Sequence, residues 1–318
     1  MIRGTATLLA LLVCTAVPTG CGPTAPAPQL PELIFGHTGI GPGEFNYPRA
    51  AVLGPDHLIY IVDKAGRIQA FNQSGEFQRA WRMPAIDAGK PTGLGVGPDG
   101  TIYAADTHYS RITYFSPTGE LRGSFGSFGE EPGQFRLPTD VAVNSAGEIY
   151  VSEYGGNDRI NKFTSDWRFI AGFGGRDSGA ARLELPQCLR IAADQSIWTC
   201  DSCHHRVCHF SPTGELLGAF GKEGNGPGEF SFPYNVDLLS DGSLVVCEYG
   251  NNRVQHFDTS GKYLGQWGLA GREPGQLAYP WALVTGDRDR VFMVDSGNNR
   301  VQVIRAGEAA TWRGDATK

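Results

Sequence analysis

The densest run of chemically capable side chains in this sequence is Cys200-Asp-Ser-Cys203-His204-His205-Arg-Val-Cys208. Two thiols separated by two residues and followed at once by a histidine form the c-type haem attachment pattern. The thiols take the vinyl groups and His204 an axial position. The same run admits two other chemistries. Cys203, His204, His205 and Cys208 offer thiolate and imidazole donors for a divalent metal. With turns centred near Asp194 and between Cys203 and His205, positions 188, 200 and 208 come opposite one another on adjacent strands. One disulfide, Cys200–Cys208 or Cys188–Cys200, is then open in an oxidising compartment. Cys247 is a further thiol, so not all of them can pair. Against a dedicated site, the run lies in register with an internal repeat: Cys200 takes the place of Ala105 and Cys247, and His204 that of Asn251 and Asn298.

That repeat decides the architecture. A Gly-rich run ending in an aromatic or Leu and then Pro recurs at Pro48, Pro91, Pro138, Pro186, Pro233 and Pro280, at spacings of 43, 47, 48, 47 and 47 residues. Each period holds four short apolar or alternating segments, separated by Asp-Gly, Ser-Gly or Thr-Gly turns that supply the positive φ of tight hairpins. Four strands per unit, six times over, predict an all-β, six-bladed β-propeller of four-stranded antiparallel blades. The last unit has three clear strands. Glu32-Leu-Ile-Phe-Gly36 matches an outer strand such as Leu216-Leu-Gly-Ala-Phe220, so an N-terminal strand is expected to complete the last blade and close the ring, with residues 309–312 as the other candidate.

The strings Asn298-Asn-Arg300-Val-Gln-Val, Asn251-Asn-Arg253-Val-Gln-His and Gly-Pro-Gly-Glu-Phe before the Pro resemble NHL repeats, over residues 32 to about 305. The resemblance implies a six-bladed propeller with a binding or scaffold role, although some relatives of this kind are enzymes and a fold does not fix a function. The NHL-like amidating lyases bind zinc through histidines, two of them directly after the Pro. None of the six corresponding residues here is His.

Residues present in every unit belong to the scaffold. The acids Asp63, Asp106, Glu153, Asp201, Glu248 and Asp295 end the second strands, and Arg67, Arg111, Arg159, Arg206, Arg253 and Arg300 open the third. Such pairs hold a loop's shape through charge-assisted hydrogen bonds. Phe71, Phe115, Phe163, Phe210 and Phe257 belong to the core between blades. The informative positions are those where units differ. Hairpin order places the loops after the second and fourth strands on one face, with the residue after each Pro at the channel mouth: Arg49, Thr92, Thr139, Gln187, Tyr234 and Trp281. Beside them stand Lys64, His108, Tyr109, Tyr154, His204, His205 and Tyr249. Arg49, Tyr154, Gln187, Tyr234, Tyr249 and Trp281 are the expected ligand-binding set.

The chain's 318 residues carry 44 Gly, 20 Pro and a net charge of -6 with no basic run, which removes the electrostatic basis for nucleic-acid binding. Residues 1–20 differ from the rest: Arg3 precedes an apolar stretch over 6–17, which is the order of a signal peptide. Gly20-Cys21 and the Pro- and Ala-rich segment to Pro31 resemble the cleavage and lipidation site of a bacterial lipoprotein, although Pro18 stands where that family prefers Leu. The expected organisation is a signal peptide (1–20), a tether after a lipidated Cys21 (21–31), the propeller (32–306) and a C-terminal tail (307–318). The expected function is that of an exported, membrane-anchored monomer, at the periplasm or cell surface. It binds a peptide, glycan or protein partner without a cofactor and touches the membrane only through its lipid. The alternatives are an amidating-lyase-like or lactonase-like enzyme at the mouth, and a c-type haem redox protein using Cys200, Cys203 and His204.

Overall fold

The structure, a computed structural model, describes residues 29–308 and residue 312. The signal segment, Cys14 and Cys21 lie outside the described residues. Six four-stranded antiparallel sheets follow one another around a central axis. Five of them are continuous stretches of chain whose strands run from the axis outward in sequence order. Their inner strands are Pro48–Leu53, Gly93–Val96, Leu137–Val143, Arg190–Ile191 and Pro233–Leu238, and the sixth blade begins at Ala282–Thr285.

The sixth blade takes its outer strand from the other end of the chain. Leu33–Phe35 runs antiparallel to Arg300–Arg305, with Leu33 opposite Val303 and Phe35 opposite Val301. The register is fixed by side chains on the inner side, since Leu33 and Phe35 pack against the cluster holding Phe45, Phe71 and Phe292. The turn at Gly75 (φ 82°) lies beneath this strand, and a Cβ there would stand 2.8 Å from the Phe35 ring. Trp312, the alternative clasp, instead stacks on His256 at 4.7 Å and donates its indole N–H to the Ala306 carbonyl.

Six apolar clusters fill the six seams between neighbouring blades. Phe71, Phe115, Phe163, Phe210 and Phe257 are all buried in them. Truncating one of these rings would cost about 3–5 kcal/mol. Hydrogen bonds tie the same seams at the face that carries the longer loops. The six acid–Arg pairs are all formed, at 2.5–2.8 Å. In every blade but the second the guanidinium also donates to carbonyls of the Gly-rich loop that leads into its own blade, as Arg253 does to Asn225, Gly226 and Glu229. Asn251 and Asn298 bind their blade's acid, while Asn252 and Asn299, at φ 54° and 55°, reach the next blade. Asn252 Oδ1 accepts the Tyr279 N–H and Asn299 Oδ1 the Tyr47 N–H, each at 2.6 Å. The second of these bonds closes the ring between blades six and one, independently of the N-terminal strand.

Candidate binding mouth

In the blades beginning at Pro48, Pro138 and Pro233 the ladder slips by one residue immediately after the Pro: Pro48 faces Asp63, but Ala50 faces Val62. A bulge of this kind frees one residue from the ladder and re-aims its side chain. The freed residues are Arg49, Thr139 and Tyr234. Arg49, Thr92, Gln187, Tyr234 and Trp281 line a common cavity at the axis.

The mouth is two-sided. Blades five, six and one supply an aromatic wall. Tyr234 stacks on Tyr249 with centroids 4.6 Å apart, and both meet the Trp281 ring edge-on at 5.1 and 5.8 Å. Tyr279 joins Tyr249 at 5.2 Å and Tyr47 joins Trp281 at 6.0 Å. Two cations rest on this wall: the Arg49 guanidinium 5.0 Å from the Trp281 centroid and the Lys64 ammonium 3.9 Å from that of Tyr47. Blades two to four supply a polar wall, and part of it is committed to structure. Thr92 donates to the Thr139 carbonyl at 3.0 Å and Thr139 to the Pro186 carbonyl at 2.5 Å, so each hydroxyl stitches its blade to the next. Thr139 is consequently buried. Tyr154 stands at the edge of this wall, near enough for its phenol and Arg49 to influence each other's ionisation.

Burial sets the charge state of the mouth. It pushes the Tyr47 phenol well up, with help from a hydrogen bond to Tyr249, and the Tyr234 phenol up to about 12. Tyr154 is raised for the same reason, so these phenols stay neutral. Burial also lowers Arg49, and burial followed by the nearby Arg49 charge lowers Lys64. Tyr47, Phe232, Tyr279 and Leu185, each directly before a Pro, have φ between 49° and 58°. Side chains hold such left-handed backbone in place by fixing its N–H groups: Asn299, His205, Asn252 and Asp158 respectively.

The cavity below the mouth has a volume of only about 10 Å³, room for roughly one water. Its floor is a charged set, Asp140, Arg190 and Asp237, that no other blade carries at these positions. Arg190 sits between Asp237, at 3.1 Å, and Asp140, whose carboxylate accepts the Leu189 N–H. Burial raises Asp140 to about 7, against the opposing pull of Arg190. The signal was there. At the second and fourth residues after the Pro, other blades carry Ala, Gly, Val, Cys or Asn, and an ionisable residue in a channel-lining strand departs from the repeat.

Blade four separates its cysteines. Cys208 lies opposite Thr199 and Cys200 opposite Val207, so the two thiols point to opposite sides of the sheet. Cys208 packs in the seam with blade three and Cys200 in the seam with blade five. The Cys200–Cys208 pairing is therefore excluded by the two-residue period of a strand. Cys188 and Cys200 do lie opposite each other, flanked by the Pro186–Asp201 and Arg190–Trp198 pairs, and all five described thiols are free. Burial and the neighbouring Cys188 thiol raise Cys200 well above the usual thiol range. A thiol sealed in this way cannot reach a haem vinyl group unless the blade opens, while Cys203 is half-exposed on the loop. His204 spends Nδ1 on Asp201 at 2.9 Å, as Asn251 spends its amide on Glu248, and His205 Nδ1 accepts the Phe232 N–H. Cys203, His204, His205 and Cys208 thus do not converge. Among the described residues no group of three or more His, Cys, Asp or Glu is placed to hold a metal ion. His108 is exposed beside Gly89, and the Tyr109 hydroxyl accepts the Ala88 N–H, so both serve the connector between blades one and two.

No family model matches the chain. It is 27% identical to NHL repeat-containing protein 3 of Homo sapiens over 186 residues, which is 50% of this chain and 50% of that protein. The chain thus spans about half the length of the curated relatives it matches. Among solved structures, a streptogramin B lyase superposes with TM-score 0.59 at 19% identity, covering 86% of this chain and 87% of that one. A chain of a nidogen/laminin complex superposes with TM-score 0.55 at 18% identity, covering 70% of this chain and 81% of that one. At such identities these likenesses speak for the fold alone, and the fold hosts both an enzyme and a protein complex. The Asn-Asn-Arg loops and the six closed blades make this chain a six-bladed β-propeller whose sequence is similar to NHL repeat-containing proteins.

Proposed function

We propose that this propeller is an exported, lipid-anchored binding module whose mouth holds a peptide, glycan or protein partner. One observation carries this function: Arg49, freed from the ladder by a bulge, lies on a continuous aromatic wall, has no carboxylate within ion-pair distance among the described residues, and buries an Nε without a hydrogen-bond partner. A scaffold has no use for a half-buried cation without a partner, whereas a binding site does. Trp, Tyr and Arg are also the residue types that dominate binding hot spots. No catalytic group is needed for this role. Anchoring rests on Gly20-Cys21 and its Pro-rich tether, and phase partition of wild type against Cys21→Ser reads it directly. The binding role is tested by partner capture from envelope extract. Trp281→Ala and Arg49→Ala should each weaken capture at least tenfold with the fold intact. Retention of every wild-type partner by both variants would reject the mouth as the binding surface.

A further inference from the structure

We infer that the mouth is built to hold a carboxylate attached to an apolar or aromatic body, with Arg49 and Lys64 as its two cationic contacts. The inference rests on the proposed binding role and specifies its ligand. Its first ground is the pattern of pairing. The other arginine at the axis, Arg190, has an ion-pair partner in Asp237. Arg49 and Lys64 have none: no carboxylate of the described residues lies within ion-pair distance of either, and Arg49 Nε is buried without a hydrogen-bond partner. The second ground is placement. The rings that carry the two cations, Trp281 and Tyr47, are themselves in edge contact at 6.0 Å, so both charges address one space. Bringing two like charges together in a half-buried site is unfavourable until an anion joins them.

The alternatives fit less well. An aromatic wall alone suits a quaternary ammonium, but here the two cations already occupy it and would repel one. A guanidinium fork pairs with a carboxylate or a phosphate alike, but a phosphate brings one or two further charged oxygens that need donors of their own. This mouth offers a single planar guanidinium fork and one ammonium on one side, and aromatic faces around them. A carboxylate matches the fork in its plane, and the cavity beneath is too small to admit more than a water. The body attached to the carboxylate would then lie against Tyr234, Tyr249 and Trp281.

The test uses calorimetric titration of the whole soluble propeller with N-acetylphenylalanine, its carboxamide, N-acetylglutamate α-amide and phenyl phosphate. N-acetylphenylalanine should bind at least tenfold more tightly than its carboxamide. That preference should fall to less than twofold in Arg49→Met and be reduced at least threefold in Lys64→Gln. The glutamate probe, a carboxylate without an aromatic body, should bind at least tenfold more weakly than N-acetylphenylalanine; equal binding of the two would overturn the part of the assignment that gives the ligand an apolar or aromatic body. Equal binding of acid and amide, tighter binding of phenyl phosphate, a preference that survives both substitutions, or no binding by either carboxylate would overturn the assignment itself. Equal binding of acid and amide that is lost in Trp281→Ala would remove the carboxylate and leave the mouth as a binding surface. Binding undisturbed by Trp281→Ala would remove both.

Discussion

Two kinds of arginine share one face of this propeller and live under opposite conditions. Arg253, on the loop ring, meets Glu248 at 2.5 Å, three loop carbonyls and the Gln266 side chain, and is almost fully enclosed. Arg49, at the mouth, meets an indole face and buries an Nε without a hydrogen-bond partner. The first kind recurs once per blade and is answered each time by an acid one strand away. The second occurs once, at a bulge. A guanidinium whose demands are met inside the fold stabilises the fold, while one whose demands are left open is available to something outside it.

The comparison is broken most severely from the scaffold side. Arg253→Met strands Glu248 and several carbonyls in a buried site, and removing one partner of a buried pair commonly costs about 3–5 kcal/mol. Denaturant unfolding should show a loss of that size, similar to the loss expected for Phe163→Ala. A loss below about 1 kcal/mol would mean that the loop ring is ornamental.

The axis gives a sharper version. Asp140 has a folded pKa of about 7, above its ordinary value of 3.8. Between those values the folded state binds the extra proton. This group's contribution therefore favours folding at acid pH, weakens as pH rises from about 4 to 7, and is constant above that. The slope is at most roughly 1.4 kcal/mol per pH unit. Stability measured against pH should fall less steeply over this window in Asp140→Asn than in wild type. Identical slopes would place Asp140 in water or fully ion-paired. A smaller effect is expected at the ring seam. Asn299→Ala leaves the Tyr47 N–H without its acceptor, at about 1–3 kcal/mol. Thermal unfolding should report this loss, and unfolding at the wild-type temperature would show that the seam is held by Leu33–Phe35 alone.

The fold was legible because its determinants repeat. Six prolines at a near-constant spacing mark the inner strands, and acid and Arg recur at the ends of each second hairpin. The clasp was legible because Leu33-Ile-Phe35 copies an outer strand. The mouth was half legible. Counting from the Pro found Arg49, Tyr234 and Trp281, because the residue after the Pro is either bulged or at the channel end of its strand. It also included Thr139, which the hydroxyl-to-carbonyl stitch takes into the interior. It overlooked Tyr47 and Tyr279, whose left-handed backbone is held by an Asn of the preceding blade, a contact over more than two hundred residues in the first case. The Cys200-Cys203-His204 string shares its positions with the repeat that made the fold clear. A site motif that falls in register with a repeat inherits the geometry of that repeat, and His204 serves as the Asn of its blade.

The most direct test places Arg49→Met and Arg253→Met side by side and measures thermal stability and calorimetric binding of N-acetylphenylalanine on each. Arg49→Met should melt within a degree or two of wild type and bind at least tenfold more weakly, while Arg253→Met should melt far lower and, where still folded, bind as wild type does. An Arg49→Met protein that loses stability and keeps its binding would contradict the claim that this arginine is held open for a ligand.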